Sequence, residues 1–150
     1  MRFVVASVAL FVVLGFPGCE EDGGKSKASF VDQADVICSE AEHEISQQPR
    51  PLDSSDPLQL AGFLERAVPV AKKQNTELKK LERPAEQRAQ INELITALEA
   101  EVDAAERMVA AAKRQDSRAI QQLLTESGFA SAQSKRVADG LGLAVCGGGN

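Results

Sequence analysis

The chain has 150 residues, a formal net charge of −5 and 43% hydrophobic residues, with six Phe but neither Trp nor Tyr. The acid excess argues against a nucleic-acid partner, which needs clustered Lys and Arg, and the missing Trp and Tyr disfavour sugar platforms and aromatic interface anchors. The length suits one domain with a modest core.

The chain opens with one positive residue, Arg2, followed by an apolar run from Phe3 to Phe16 and then Pro17-Gly18-Cys19. A basic start, an apolar core and a small residue before a cut describe a secretory signal over residues 1–18, too short for a membrane span. A small residue directly before cysteine is also how a bacterial lipoprotein signal ends. There the thiol, here Cys19, takes a diacylglyceryl group and becomes the new N-terminus. Gly18 fits that pattern, while the position usually held by Leu is Phe16, with Leu14 two places earlier. The expected location is therefore the outer face of the cytoplasmic membrane, with secretion in soluble form as the alternative. Two acyl chains hold firmly, because each buried methylene adds about 0.8 kcal/mol.

The chain contains three cysteines. With Cys19 acylated, Cys38 and Cys146 remain as an even pair in an oxidising compartment. A disulfide between them would clasp the first helix to the end of the chain; two separate buried thiols are the other reading.

Residues 19–28 are polar and Gly-containing and read as a flexible tether, leaving 29–150 as the domain. Ser29 resembles an N-cap with Asp32 three places on. Phe30, Ala34, Ile37, Ala41 and Ile45 follow at helical spacing until Pro49 and Pro51 end the run. Asp56-Pro57 restarts helix with a capping acid and Pro in the first turn. Leu60, Leu64, Ala67, Ala71, Leu78 and Leu81 then alternate by threes and fours, with Gln74 as the polar member of the stripe. Pro69 inside this run predicts a kink rather than a break.

Pro84-Ala85-Glu86 starts a third predicted helix, whose seam runs Ile91, Ile95, Leu98, Val102, Ala105, Val109 and Ala112. Asp116 caps a fourth, with Ile120, Leu123, Ser127, Ala130, Ser134, Val137 and Leu141, and Gly140 and Gly142 stop it. The small middle of this seam would admit a close neighbour, with Phe30 or Phe63 filling the space. Short connections make consecutive helices antiparallel, so an all-α, up-down bundle of about four helices is expected.

Candidate chemistry is sparse. Glu40 and His43, at i and i+3, resemble half of a dimetal site, but His43 is the only histidine and such a site needs a second pair. A solvated acidic face with Glu42 and Glu44 is the simpler reading, so neither metal nor cofactor is expected. A nucleophile with its base is not found either, and the chain reads as a non-enzyme. Lys72, Lys73, Lys79, Lys80 and Arg83 fall on one side of the second helix. They would contact anionic headgroups or wall polymers, or offset the helix dipole and face acids of the third helix such as Glu93; the second reading fits the net charge better. Pro69 and Gln74 mark a possible interhelical groove.

Phe30-Val-Asp-Gln-Ala-Asp-Val-Ile-Cys38, Gly142-Leu-Ala-Val-Cys146-Gly147, Ala67-Val-Pro-Val-Ala71 and the Leu78-x-x-Leu81-x-x-Pro84 step resemble small, uncharacterised actinobacterial lipoproteins. The resemblance implies an acylated cysteine, a polar tether and a helical domain bracketed by two cysteines. The expected role is a membrane-tethered module that binds another envelope protein. The alternative is a carrier or sensor of a small apolar or anionic ligand in an interhelical groove.

Overall fold

Four amphipathic helices with short connections build the architecture, as seen in a computed structural model that describes residues 22–53 and 55–147, with side chains from Lys27 onward. They are α1 (Asp22–Ser46), α2 (Pro57–Lys80), α3 (Arg88–Lys113) and α4 (Ser117–Leu141). The signal, Cys19 and the first residues of the tether lie outside the described residues. Consecutive helices pack on one another in up-down order, most extensively α3 on α4 and least α1 on α2.

Local chemistry sets the helix ends. Asp56 accepts from the Leu58 and Gln59 amides at 2.9 and 3.4 Å, which satisfies free donors at the start of α2. The Gln59 side chain reaches back, its Oε1 accepting from the Leu52 and Asp53 amides and shaping the α1–α2 loop. Asp116 caps α4 by accepting from the Ala119 amide at 3.0 Å. At the other end Gly142 is left-handed, with φ of 84°. The Leu143 amide then donates to the Ala138 carbonyl and the Gly142 amide to that of Asp139, the Schellman closure.

Two boundaries differ from expectation. α1 begins at Asp22, so residues 22–28 are helix rather than open tether and Ser29 lies inside it, its Oγ accepting from Gln33 Nε2. An acid at the start followed by Lys25, Lys27 and Ala28 is compatible with helix, and polarity alone does not exclude it there. α3 begins at Arg88, because Pro84–Gln87 forms a separate turn closed by the Gln87 amide on the Pro84 carbonyl. α2 runs unbroken through Pro69.

The core has two parts. Near the α1 start, Phe30, Ala34 and Cys38 meet Leu78 of α2, Ile91, Leu94, Ile95 and Leu98 of α3, and Val137, Ala138 and Leu141 of α4. At the opposite end Ala61, Met108, Ala111, Ala112, Ile120 and Leu123 pack without α1. Each large aliphatic buried there contributes about 1.5–3 kcal/mol. α3 is central and buries a second seam that the expected stripe omits: Leu94, Ala97, Ala104, Met108 and Ala111. Phe30 is in the core, whereas Phe63 is only half-buried.

The expected clasp is present. Cys38 and Cys146 form a disulfide across 108 residues, with Cα atoms 5.2 Å apart and both side chains buried. Asp35, one turn before Cys38, accepts from the Ala144 amide at 3.0 Å and the Val145 amide at 3.0 Å. The tail thus docks on α1 by a covalent bond and a carboxylate clamp. Gly147, with φ of 102°, lies where a Cβ would come within 2.7 Å of the Lys135 backbone, so the tail passes α4 too closely for any side chain.

Candidate functional site

The second seam of α3 is spaced 94, 97, 101, 104, 108 and 111, and its member at 101 is a glutamate. α4 places Ser134 in its own buried seam, 1% exposed. The two meet: Ser134 Oγ donates to Glu101 Oε1 at 2.5 Å. Ser134 Oγ also lies 3.0 Å from the Ser131 carbonyl. A hydroxyl has one proton, so Ser134 donates to one of these two oxygens at a time. Burial raises the Glu101 carboxyl above its ordinary value, the Ser134 hydroxyl opposes this, and no neighbouring charge contributes.

Glu101 lines an interhelical cleft of about 250 Å³. The walls are mostly apolar: Ile45 from α1, Leu64, Ala67, Val68 and Ala71 from α2, and Leu98, Val102 and Ala105 from α3. Gln74, Asn75, Ser127 and Glu101 supply the polar atoms. The cleft exists because Ala67, Ala71 and Ala105 occupy seam positions with little volume, and α1 covers this level with few side chains. A mainly apolar hollow with a few polar groups and one perturbed acid, slightly smaller than the pockets that hold drug-sized ligands, has the make-up of a site for a small molecule.

The structure separates the two residues that marked the expected groove. Gln74 lines the cleft, and its Nε2 donates to Cys38 Sγ at 3.2 Å, next to the disulfide. Pro69 is exposed and lines a different hollow with Glu65, Val68, Lys72, Glu106 and Val109. The missed residue is Glu101. Its three-and-four spacing from Ala97 and Ala104 is a legible signal once α3 is known to pack on two sides.

The basic residues of α2 are engaged within the fold. Lys72 pairs with Glu106 at 2.6 Å, Lys79 with Glu99, and Glu65 with Lys113. These pairs recur every seven residues on both helices, as rungs of an antiparallel ladder like the flanking charges of a coiled coil. Lys73 lies 3.8 Å from Glu44 of α1, Lys80 pairs with Glu77, and Arg83 donates to Asn92. The α3 acids that pair with α2 lysines are thus Glu99 and Glu106, while Glu93 faces Arg136 and Gln133 of α4. All the rungs are about half exposed, so each is worth at most about 1 kcal/mol.

Glu40 and His43 are exposed on α1, and among the described residues no group of three or more His, Cys, Asp and Glu is placed to hold a metal ion. No described helix is long and apolar enough to cross a membrane. On α4, Leu124 and Phe129 are exposed, the latter by 73%. Comparison with family models, curated proteins and solved structures returns no match.

Proposed function

We propose that this chain is an exported, membrane-tethered domain that works by binding rather than catalysis, and that it holds a small, mainly apolar molecule in the cleft between its helices. The observation that carries the reading is the apolar hollow walled by α1, α2 and α3 and furnished with Glu101, Gln74 and Asn75. Around a preformed hollow of this composition, the apolar walls supply affinity and the few polar atoms fix orientation. Non-catalytic action is supported by the setting of Glu101, which hydrogen-bonds a serine rather than a base, and by the position of His43 on the exposed face of α1.

Export and tethering rest on the apolar run before Cys19 and on the pairing of the other two cysteines, which suits an oxidising compartment. Native mass spectrometry of protein recovered gently from bacterial envelopes should show a reproducible added mass beside a diacylglyceryl-modified Cys19. A bare mass from several hosts would remove the carrier reading, and an unacylated Cys19 would remove the tether.

A second reading, docking to an envelope protein, would use Phe129, a large aromatic side chain that is 73% exposed on α4. Cross-linking in intact cells through position 129 should then give one protein adduct, and only scattered neighbours would count against it.

A further inference from the structure

Resting on the cleft reading, we propose that the cleft selects an amphiphilic amine: its apolar body lies between α1, α2 and α3 and its ammonium group pairs with Glu101.

Three observations lead there. First, the lining contains no Lys, Arg or His, and Glu101 is its acid. From α2 it is faced by Gln74 and Asn75, from α4 by Ser127 and Ser134, and from α1 by Ile45, none of which is charged. Second, several cations of the neighbouring helices pair with other acids. Lys72 and Lys79 pair with Glu106 and Glu99, Lys73 lies by Glu44, Lys113 pairs with Glu65, and Arg107 holds Glu126 and Asp103. A half-buried carboxylate without an internal counter-ion is costly, so the molecule that relieves it most is a cation brought from outside. Third, the adjoining hollow, which shares Gln74 with the cleft, carries Glu40, Glu44 and Glu77 against one cation, Lys73, and the whole chain is acidic. This field attracts cations and opposes anions.

Apolar surface supplies affinity and the carboxylate supplies discrimination. A neutral alcohol of the same length keeps the first and loses the second. A carboxylate would set two like charges together. Ligand preference therefore separates this inference from the cleft reading beneath it.

The test is calorimetric titration of the purified chain with hexylamine, 1-hexanol and hexanoate at neutral pH. Hexylamine should bind about tenfold tighter than 1-hexanol, with hexanoate weakest. Glu101→Gln, which preserves shape and can still hydrogen-bond Ser134, should erase the amine's advantage and bring hexylamine to the affinity of 1-hexanol. Ala105→Leu, which fills the cleft, should abolish binding of all three. Circular dichroism and thermal melts establish that both variants are folded. If 1-hexanol or hexanoate matches hexylamine, or Glu101→Gln keeps the preference, the amine inference is overturned and the cleft reading survives. If no probe binds, or Ala105→Leu binds as before, the cleft reading falls and the inference with it.

Discussion

At Glu101 the chain accepts a local cost. A leucine or methionine at this seam position would bury apolar surface against α4, whereas the glutamate must be desolvated and retains one hydroxyl partner, Ser134. The consequence for stability has a definite sign. Burial raises the folded-state value above the ordinary 4.5, so between these two values the folded protein binds more protons than the unfolded chain. The group's contribution is most favourable below about pH 4.5 and is lost as pH rises through the folded value. Glu101→Gln removes that dependence. Urea melts should show the variant as stable as the parent or more so at neutral pH, with the difference shrinking towards pH 4. A variant that is markedly weaker at pH 7 would mean that the ionised carboxylate is a net stabiliser. Gly147 offers a second check. Because a Cβ there would meet the Lys135 backbone, Gly147→Ala should displace the tail and cost about 1–3 kcal/mol.

At the scale of elements, Pro69 is the clearest departure from good helix chemistry. It lies within α2, lacks an amide to donate to the Glu65 carbonyl and is exposed, so it contributes little burial in exchange. Pro69→Ala restores a backbone bond and relieves the clash with the preceding turn, and should stabilise the domain by up to about 3 kcal/mol in chemical denaturation. No gain would show that the ring's place in the wall of its hollow matters more than the missing bond. Helix existence and type were legible along the sequence because each stripe alternates by threes and fours between clear stops. The start of α1 was less so, since a polar stretch can be either tether or exposed helix. α3 was half legible: one seam stood out, but a helix packed on both sides needs two. The second is built from Ala97, Ala104 and Ala111, with Glu101 among them, and small residues mark burial weakly. That is also why the cleft was placed by Gln74 but not by its acid.

The whole molecule is unevenly held. α3 and α4 pack along their length, α2 is laced to α3 by a charged ladder, and α1 rests mainly on α2. The far core, around Met108 and Ile120, contains no residue of α1. α1 is therefore the element most able to open locally, and the disulfide is placed where it compensates, joining α1 to the tail that follows α4. Closing a loop of this length limits the unfolded chain and stabilises the fold by up to about 4.7 kcal/mol. Replacing both cysteines by alanine should lower the urea midpoint accordingly and speed amide exchange first in α1 and at Ala144 and Val145, ahead of α3. Asp35 still clamps both of those amides, so the tail should loosen rather than detach. Adding Asp35→Ala to the same background removes the remaining polar anchor. Exchange in α1 should then rise further while the α3–α4 pair stays protected. Uniform acceleration across all four helices would instead mean that the bundle opens as one unit, with the clasp stabilising every helix equally.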